Sequence, residues 1–273
     1  MRFSIVIPTF NNLEYLKLCI KSIKRNSKFN HEIIIHNNGS TEPSKDFIRD
    51  NEIIYSKTSY NAGICEGVNL GAKKSNTNYI VYAHDDFYFL PGWDLSFKEE
   101  IEKLNNNFFY FSGTMIQNGQ VNFNCGETID NFDEEKLLLN NDKILYHDFQ
   151  GSTWAPHIIH KNIWDKVGGF RSTLTNEDYI TTAQLLLKGF KIAYVADSLV
   201  SHSHCYSLKQ EFQRMFDTGY IRSENKYIQD LVGDANKRGY KVGGSRTSVE
   251  LGEMENLLNT IQSKKSLTKT ILI

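Results

Sequence analysis

The predicted architecture is built around one run of residues, Tyr79-Ile-Val-Tyr-Ala-His84-Asp85-Asp86-Phe-Tyr-Phe-Leu-Pro91-Gly92-Trp93-Asp94. Its β-rich first part ends abruptly at one imidazole and two carboxylates, and Pro91-Gly92 then turns the chain into a new helix. In an open α/β sheet, ligands bind outside the carboxyl ends of the strands, so these acids are expected to face a crevice. Adjacent carboxylates favour a hard divalent cation that neutralises them. The alternative is a solvated acidic turn.

The composition is that of an ordinary globular protein, with 40% hydrophobic and 23% charged residues in a chain of 273. A net charge of −1 gives no general attraction to nucleic acid. The four cysteines form no C-x-x-C pair, which fits a reducing cytoplasm. The amino terminus is too short for a signal peptide, and no apolar run reaches the roughly 18 residues of a membrane span. We therefore expect a cytoplasmic protein, soluble or held peripherally at the membrane.

Before residue 79, short apolar runs alternate with helical patterns. Strands are predicted at residues 3–7, 33–35 and 53–55, and Asn12 is a candidate N-cap for the first helix. This alternation predicts βαβ units, and therefore an α/β fold with a mostly parallel sheet. Gly63, Gly67 and Gly71 recur every four residues and predict a helix packed closely on the sheet, with close approach to a ligand as the alternative. The loops that follow the strands should meet at one edge of the sheet: residues 8–11, 37–41, 61–63 and 84–86.

The second half of the chain carries two further polar clusters. Glu177 and Asp178 begin a predicted helix, where the macrodipole alone also favours acids. His202-Ser-His204 follows two predicted strands, at residues 191–195 and 198–201, and can present both imidazoles on one face to a metal. Two histidines in a polar loop are the alternative. Residues 208–273 are polar and mostly helical by pattern, so we divide the chain into a domain at 1–207 and a helical extension at 208–273.

Six motifs follow one another between residue 3 and residue 207: Ile5-Val-Ile-Pro8-Thr9-Phe10-Asn11, Ile35-His-Asn37-Asn38-Gly39-Ser40-Thr41, Asn61-x-Gly63 with Asn69-x-Gly71, His84-Asp85-Asp86 with Pro91-Gly92-Trp93, Gly168-Gly169-Phe170, and Asn176-Glu177-Asp178 ahead of Lys188-Gly189-Phe190. In this order and spacing they resemble the inverting family 2 glycosyltransferases of the GT-A fold. A weaker resemblance, to the rhamnosyltransferase branch, rests on residues 202–214.

The resemblance implies transfer of a sugar from a nucleotide diphosphate, UDP or dTDP, to a hydroxyl of a glycan or lipid-linked glycan, with inversion. A divalent cation, Mn²⁺ or Mg²⁺, would neutralise the leaving diphosphate. By the same resemblance, Asp86 is the metal ligand, together with His202 or His204. Asp178 is the general base, and Glu177 orients it or holds the acceptor.

The remaining implied roles concern the donor and the acceptor. Asp85 would contact the ribose or a metal-bound water, and His84 replaces the family's first acid. Trp93 and Trp154 are candidates to stack on a sugar face, although such aromatics are more often core residues. The donor-binding loops would contribute Pro8, Thr9, Phe10, Asn11, Asn37, Asn61, Gly63 and Asn69.

Three departures from the family pattern bear on the function. Asn37 stands where an aspartate usually reads the nucleobase, Val68 replaces a frequent arginine, and His84 makes Mn²⁺ a better partner than Mg²⁺. Two other functions stay open: a catalytically silent nucleotide-sugar-binding module of a glycan assembly complex, and a metallohydrolase that uses the histidines of 202–204 with the two aspartates. The extension at 208–273 fits an acceptor lid, a homodimer contact or attachment to a membrane surface.

Overall fold

The computed structural model describes residues 1–43, 45–104, 106–117, 125–126, 128–140, 155–170, 185, 188, 191–202, 230, 234 and 237. Within these residues, one sheet of eight strands is flanked by helices. The strands are β1 (Ser4–Thr9), β2 (Glu32–Asn38), β3 (Ile54–Thr58), β4 (Tyr79–Tyr82), β5 (Phe87–Phe89), β6 (Phe109–Gln117), β7 (His157–His160) and β8 (Lys191–His202). The helices are α1 (Leu13–Asn26), α2 (Lys45–Asp50), α3 (Gly63–Ala72), α4 (Trp93–Leu104), α5 (Glu134–Asn140) and α6 (Lys161–Val167).

The strand order is β3-β2-β1-β4-β7-β6-β8-β5. Strands β1 to β4 are mutually parallel, and β6 and β8 run in the same direction, whereas β7 and β5 are antiparallel to their neighbours. The predicted α/β fold with a mostly parallel sheet is therefore confirmed. The predicted strands at 191–195 and 198–201 form the single strand β8. Strands β5 and β7 were not predicted.

The centre of the sheet is covered on both faces, as the uninterrupted burial of β1 and β2 requires. Helix α1 packs the apolar side chains of Leu16, Ile20 and Ile23 into this core. Helix α3 lies so close to β1 that a Cβ built on Gly71 would be 2.6 Å from Val6 Cγ1. The close packing predicted for the glycine stripe is confirmed at Gly71.

A buried polar lock joins the amino-terminal end of α4 to the loop before β2. The Asp94 carboxylate accepts hydrogen bonds from the backbone N–H groups of Lys28 and Phe29 and from His31 Nε2, at 2.8–3.0 Å. The other ring nitrogen of His31 accepts from the Phe3 N–H at 3.1 Å. These bonds outweigh burial, which acts to raise the pKa of Asp94, and leave that pKa below its usual value.

Candidate active site

The residues 84–86 form the turn between β4 and β5, at the carboxyl edge of the parallel strands. The turn is closed by a hydrogen bond from the Phe87 N–H to the His84 carbonyl oxygen, and the His84 ring stacks on Phe87 with centroids 4.7 Å apart. The side chains of His84 and Asp86 are 27% and 14% exposed. A ligand in the crevice above this edge can therefore reach both side chains.

Asp85 is fixed by the segment that follows β1. Thr9 Oγ1 donates to one carboxylate oxygen at 2.6 Å, and Asn12 Nδ2 donates to the other at 3.0 Å. Burial, with the Asp86 charge as a second cause, raises the pKa of Asp85 to about 6 despite these two hydrogen bonds. Thr9 is itself buried, so its hydroxyl positions Asp85. The loops after β1 and β4 therefore meet at one place, as the sheet topology predicts.

His84 and Asp86 form the accessible half of the acidic turn. His84 Nδ1 lies 3.9 Å from Asp86 Oδ1, beyond hydrogen-bond distance. The opposite ring nitrogen, Nε2, lies 2.8 Å from the hydroxyl of Tyr82. The imidazole is thus held on one side and presented to the carboxylate on the other.

The carboxyl end of β8 returns to this turn. Residue 202 pairs with Phe87, the residue that follows Asp86, in the antiparallel ladder of β5 and β8. Paired residues in such ladders have Cα atoms about 4.5–5.5 Å apart. The backbone of His202 therefore lies beside the acidic turn, although 115 residues of sequence separate His202 from Phe87.

The side chain of Asn37, expected to read the nucleobase, is engaged within the protein. Its side chain is fully buried, and its amide group donates to the carbonyl oxygens of Ser40 and Glu42 and to the Tyr55 hydroxyl. Its amide oxygen accepts from the Ser40 N–H at 2.8 Å. In this structure Asn37 holds the loop after β2 in shape, and its role in reading the nucleobase stays a prediction.

The loops after β1 and β3 place other predicted donor-binding residues at the surface. Phe10 is 45% exposed, and Asn11 has a left-handed backbone, with φ at 52°. Asn61 is also exposed and accepts from the Gly63 N–H at 3.0 Å, while Gly63 begins α3 with φ at 79°. Their exposure leaves them available to a ligand, whereas Pro8 is buried within β1.

Asn69 was expected to contact the ribose or the diphosphate, but its side chain is engaged elsewhere. Its amide group donates to the Phe170 carbonyl oxygen at 2.8 Å, and its oxygen accepts from the Phe170 N–H at 2.9 Å. Gly169, with φ at 70°, passes so close that an added Cβ would collide with the Asn69 oxygen. Asn69 therefore clamps α3 to the turn that follows α6.

The prediction that Trp93 stacks on an acceptor sugar is wrong. The side chain is completely buried and packs among Phe3, His31 and Phe89. Its indole N–H donates to Ser27 Oγ at 3.0 Å. Trp93 is a core residue at the start of α4.

Four predicted site residues lie outside the described residues: Trp154, Glu177, Asp178 and His204. Of the extension predicted at 208–273, only positions 230, 234 and 237 are described. The roles assigned to these residues stay predictions.

Three residues of the site environment were not assigned to it from the sequence. Asn12 precedes α1 as expected for an N-cap, but its side chain bonds to Asp85 rather than to the helix. Tyr82 lies two residues before His84 on an extended chain, and this spacing, which puts both side chains on one face, was an available signal. His157 is buried against the rings of Tyr82 and Tyr110, and burial lowers its pKa to about 3.

The residues of the acidic turn fit a divalent cation shared with a phosphate ligand. Within the described parts of the chain, no three His, Cys, Asp or Glu side chains form a complete metal site. Divalent cations at phosphate-transfer sites commonly use one or two carboxylates together with substrate oxygens. The 3.9 Å from His84 Nδ1 to Asp86 Oδ1 is below twice a metal–ligand bond of ~2.1 Å, so both atoms can contact one ion.

Comparison with solved structures confirms the predicted GT-A fold. TarS of S. aureus in complex with UDP-GlcNAc superposes with a TM-score of 0.59 at 13% identity, over 96% of this chain and 80% of that one. A mannosyltransferase from Pyrobaculum calidifontis in complex with GDP-Man and Mn²⁺ gives a TM-score of 0.57 at 10% identity, over 96% and 79%.

Sequence comparison then gives the family. The model of glycosyl transferase family 2 matches residues 4–163, more than half of the chain. The chain therefore belongs to glycosyl transferase family 2. It is 26% identical to the O-antigen chain rhamnosyltransferase WbaN of Salmonella anatum over 88% of this chain and 78% of that protein. It is 24% identical to the O-antigen chain rhamnosyltransferase RfbN of Salmonella typhimurium over 88% and 79%. Among the described residues, none of the helices is long and apolar enough to span a membrane.

Proposed function

We propose that this protein is a metal-dependent, inverting glycosyltransferase that moves a sugar from a nucleotide diphosphate to a hydroxyl of a glycan or lipid-linked glycan. The observation that carries the proposal is the turn at 84–86, where a partly exposed imidazole and a partly exposed carboxylate lie beside a second carboxylate held by the loop after β1. This arrangement suits a cation and the diphosphate that the cation neutralises.

Each part of the turn has a distinct task in this proposal. Asp86 and His84 hold Mn²⁺, or less favourably Mg²⁺, because an imidazole ligand suits a transition metal. When bound, the ion supplies Lewis-acid stabilisation of the charge on the leaving diphosphate. Asp85, locked by Thr9 and Asn12, fixes the turn and faces the ribose or a metal-bound water. His202 is a further ligand, because its backbone pairs beside the turn.

In this proposal, Asp178 is the general base that activates the acceptor hydroxyl. An inverting transfer is a single displacement, so one carboxylate removes the proton of the acceptor hydroxyl while the sugar–diphosphate bond breaks on the opposite face. Glu177 orients that base or holds the acceptor. The similarity to O-antigen chain rhamnosyltransferases supports a deoxyhexose as the sugar and a growing surface glycan as the acceptor. The corresponding donor is a dTDP- or UDP-sugar.

The first test is a panel of UDP- and dTDP-sugars, with and without Mn²⁺, measured by thermal stabilisation and then by transfer to glycan acceptors. The true donor should raise the melting temperature, and Mn²⁺ should enhance that effect. Absence of transfer from every donor that binds would favour the silent binding module. The buried Asn37 gives that alternative its specific support, because its side chain is already hydrogen-bonded within the protein.

The base is tested by Asp178→Asn. Removal of a general base should lower the turnover number by a factor of about 10²–10⁴ and leave donor binding unchanged. Asp165→Asn, which alters an exposed aspartate on α6, is the matched control and should behave like the wild-type protein. Full transfer activity in the Asp178 variant would remove that residue from the mechanism.

A further inference from the structure

Tyr82 occupies a defined place behind the proposed cation site. Its ring is almost completely buried, and its hydroxyl lies 2.8 Å from His84 Nε2. Tyr82 is the last residue of β4, and His84 follows on the same face of the extended chain. Tyr82 therefore makes the contact from a strand, a rigid element, to the first residue of the turn.

The Tyr82 ring is itself fixed by its neighbours. It stacks on His157 with centroids 6.0 Å apart and meets Phe170 edge-on at 5.2 Å. The His84 ring is held from another direction by its stack on Phe87. Two rigid supports thus determine the direction in which the imidazole points.

The geometry leaves Nδ1 of His84 as the atom directed at Asp86. A histidine that binds a metal almost always donates its other ring N–H to an oxygen acceptor, which fixes the tautomer and the ring orientation. A donor at Nε2 leaves the lone pair on Nδ1, on the side of the carboxylate. The distances to Tyr82 and to Asp86 match this division of roles.

We propose that Tyr82 is a positioning residue: its hydroxyl oxygen accepts the Nε2–H of His84, so that the Nδ1 lone pair and the Asp86 carboxylate together select and hold the divalent cation. The inference rests on the proposed function, because it names a residue that supports the same cation site. It adds that cation affinity depends on a buried tyrosine that cannot itself touch the ion.

The first test is independent of catalysis and of metal. In the metal-free protein labelled with ¹⁵N-histidine, NMR at alkaline pH distinguishes the two neutral tautomers, and His84→Ala identifies the His84 signals. Wild-type His84 should be in the Nε2–H form, whereas Tyr82→Phe should yield a mixture of both forms. An Nδ1–H form in the wild-type protein, or an unchanged tautomer in Tyr82→Phe, would overturn the inference.

The second test measures Mn²⁺ binding in the presence of UDP by electron paramagnetic resonance. Tyr82→Phe should weaken Mn²⁺ affinity about 10- to 100-fold, the range typical of lost support to a metal ligand. Tyr88→Phe is the matched control, because it also removes a buried tyrosine hydroxyl bond, in this case to Glu134. It should bind Mn²⁺ like the wild-type protein.

A double variant separates positioning from general destabilisation. If Tyr82 acts through His84, the double variant Tyr82→Phe/His84→Ala should bind Mn²⁺ no more weakly than His84→Ala alone. Additive losses, or wild-type affinity in Tyr82→Phe, would refute the inference. Failure of the wild-type protein to bind Mn²⁺ with either UDP or dTDP would instead overturn the proposed metal dependence, and the NMR result would show whether Tyr82 orients His84 regardless.

Discussion

The clamp formed by Asn69 can be tested by Asn69→Ala. This change removes both hydrogen bonds to the Phe170 backbone, one donated by the amide group and one accepted by its oxygen. A lost hydrogen bond that leaves its partly buried partner unpaired costs about 1–1.5 kcal/mol, so the two together predict a loss of about 2–3 kcal/mol in the free energy of unfolding. For a chain of 273 residues, that loss corresponds to a melting temperature lower by about 3–5 °C.

Thermal and urea unfolding, combined with calorimetric titration of UDP, distinguish the clamp from the donor-binding role that the family resemblance implied. The clamp predicts a clear loss of stability with little change in UDP affinity. Asn140→Ala is the control, because this partly exposed asparagine donates a local hydrogen bond to the Lys136 carbonyl oxygen. Its stability should change by less than about 0.5 kcal/mol. A normal melting temperature together with much weaker UDP binding in Asn69→Ala would show that Asn69 binds the nucleotide.

The first half of the fold could be predicted because its signals are local. Apolar residues that follow one another in β1 and β2, and recur at helical spacing in α1, are visible in short windows of sequence. Parallel order follows from the alternation of strands and helices, and it brings the ends of β1 and β4 together. The meeting of Thr9 with Asp85, 76 residues apart, is a consequence of that topology.

Strands β5 and β7 lacked such signals. Strand β5 has three residues, and it is a strand because Phe87 pairs with His202, far along the chain. Strand β7 has four residues between Pro156 and a helix, and it is defined by pairing with β4 and β6. Elements this short receive their conformation from remote partners, which no local pattern encodes.

Remote partners also limit what the sequence predicts about the candidate active site. An asparagine side chain can bond to a ligand or to backbone, and only the spatial position of its neighbours determines which bond forms. Asn37 finds partners in its own loop and on the neighbouring strand β3, whereas Asn69 finds them 101 residues away. The sequence could therefore locate the acidic turn correctly and still misassign the residues around it.

Two further predictions concern Trp93 and Asp94, the first two residues of α4. Trp93→Phe loses the indole hydrogen bond to Ser27 and some packing, so it should destabilise the protein by about 1–3 kcal/mol. The Michaelis constant for the acceptor should stay unchanged. A raised Michaelis constant at normal stability would instead show that Trp93 contacts the acceptor. Asp94→Asn should cost about 2–3 kcal/mol at pH 7, measured by urea unfolding, because a buried carboxylate loses charge-assisted hydrogen bonds. The pKa of Asp94 is lower in the folded state than in the unfolded state, where it is about 3.9. The ionised carboxylate therefore contributes fully to the free energy of unfolding above the pKa of the unfolded state. This contribution is lost as the pH falls through the lower pKa of the folded state. The stability difference between wild type and Asp94→Asn should therefore shrink below about pH 4, whereas the exposed control Asp50→Asn should differ little from wild type at any pH. If the stability difference between wild type and Asp94→Asn stays constant down to the lowest pH at which both proteins are folded, the charge of Asp94 does not stabilise the polar lock.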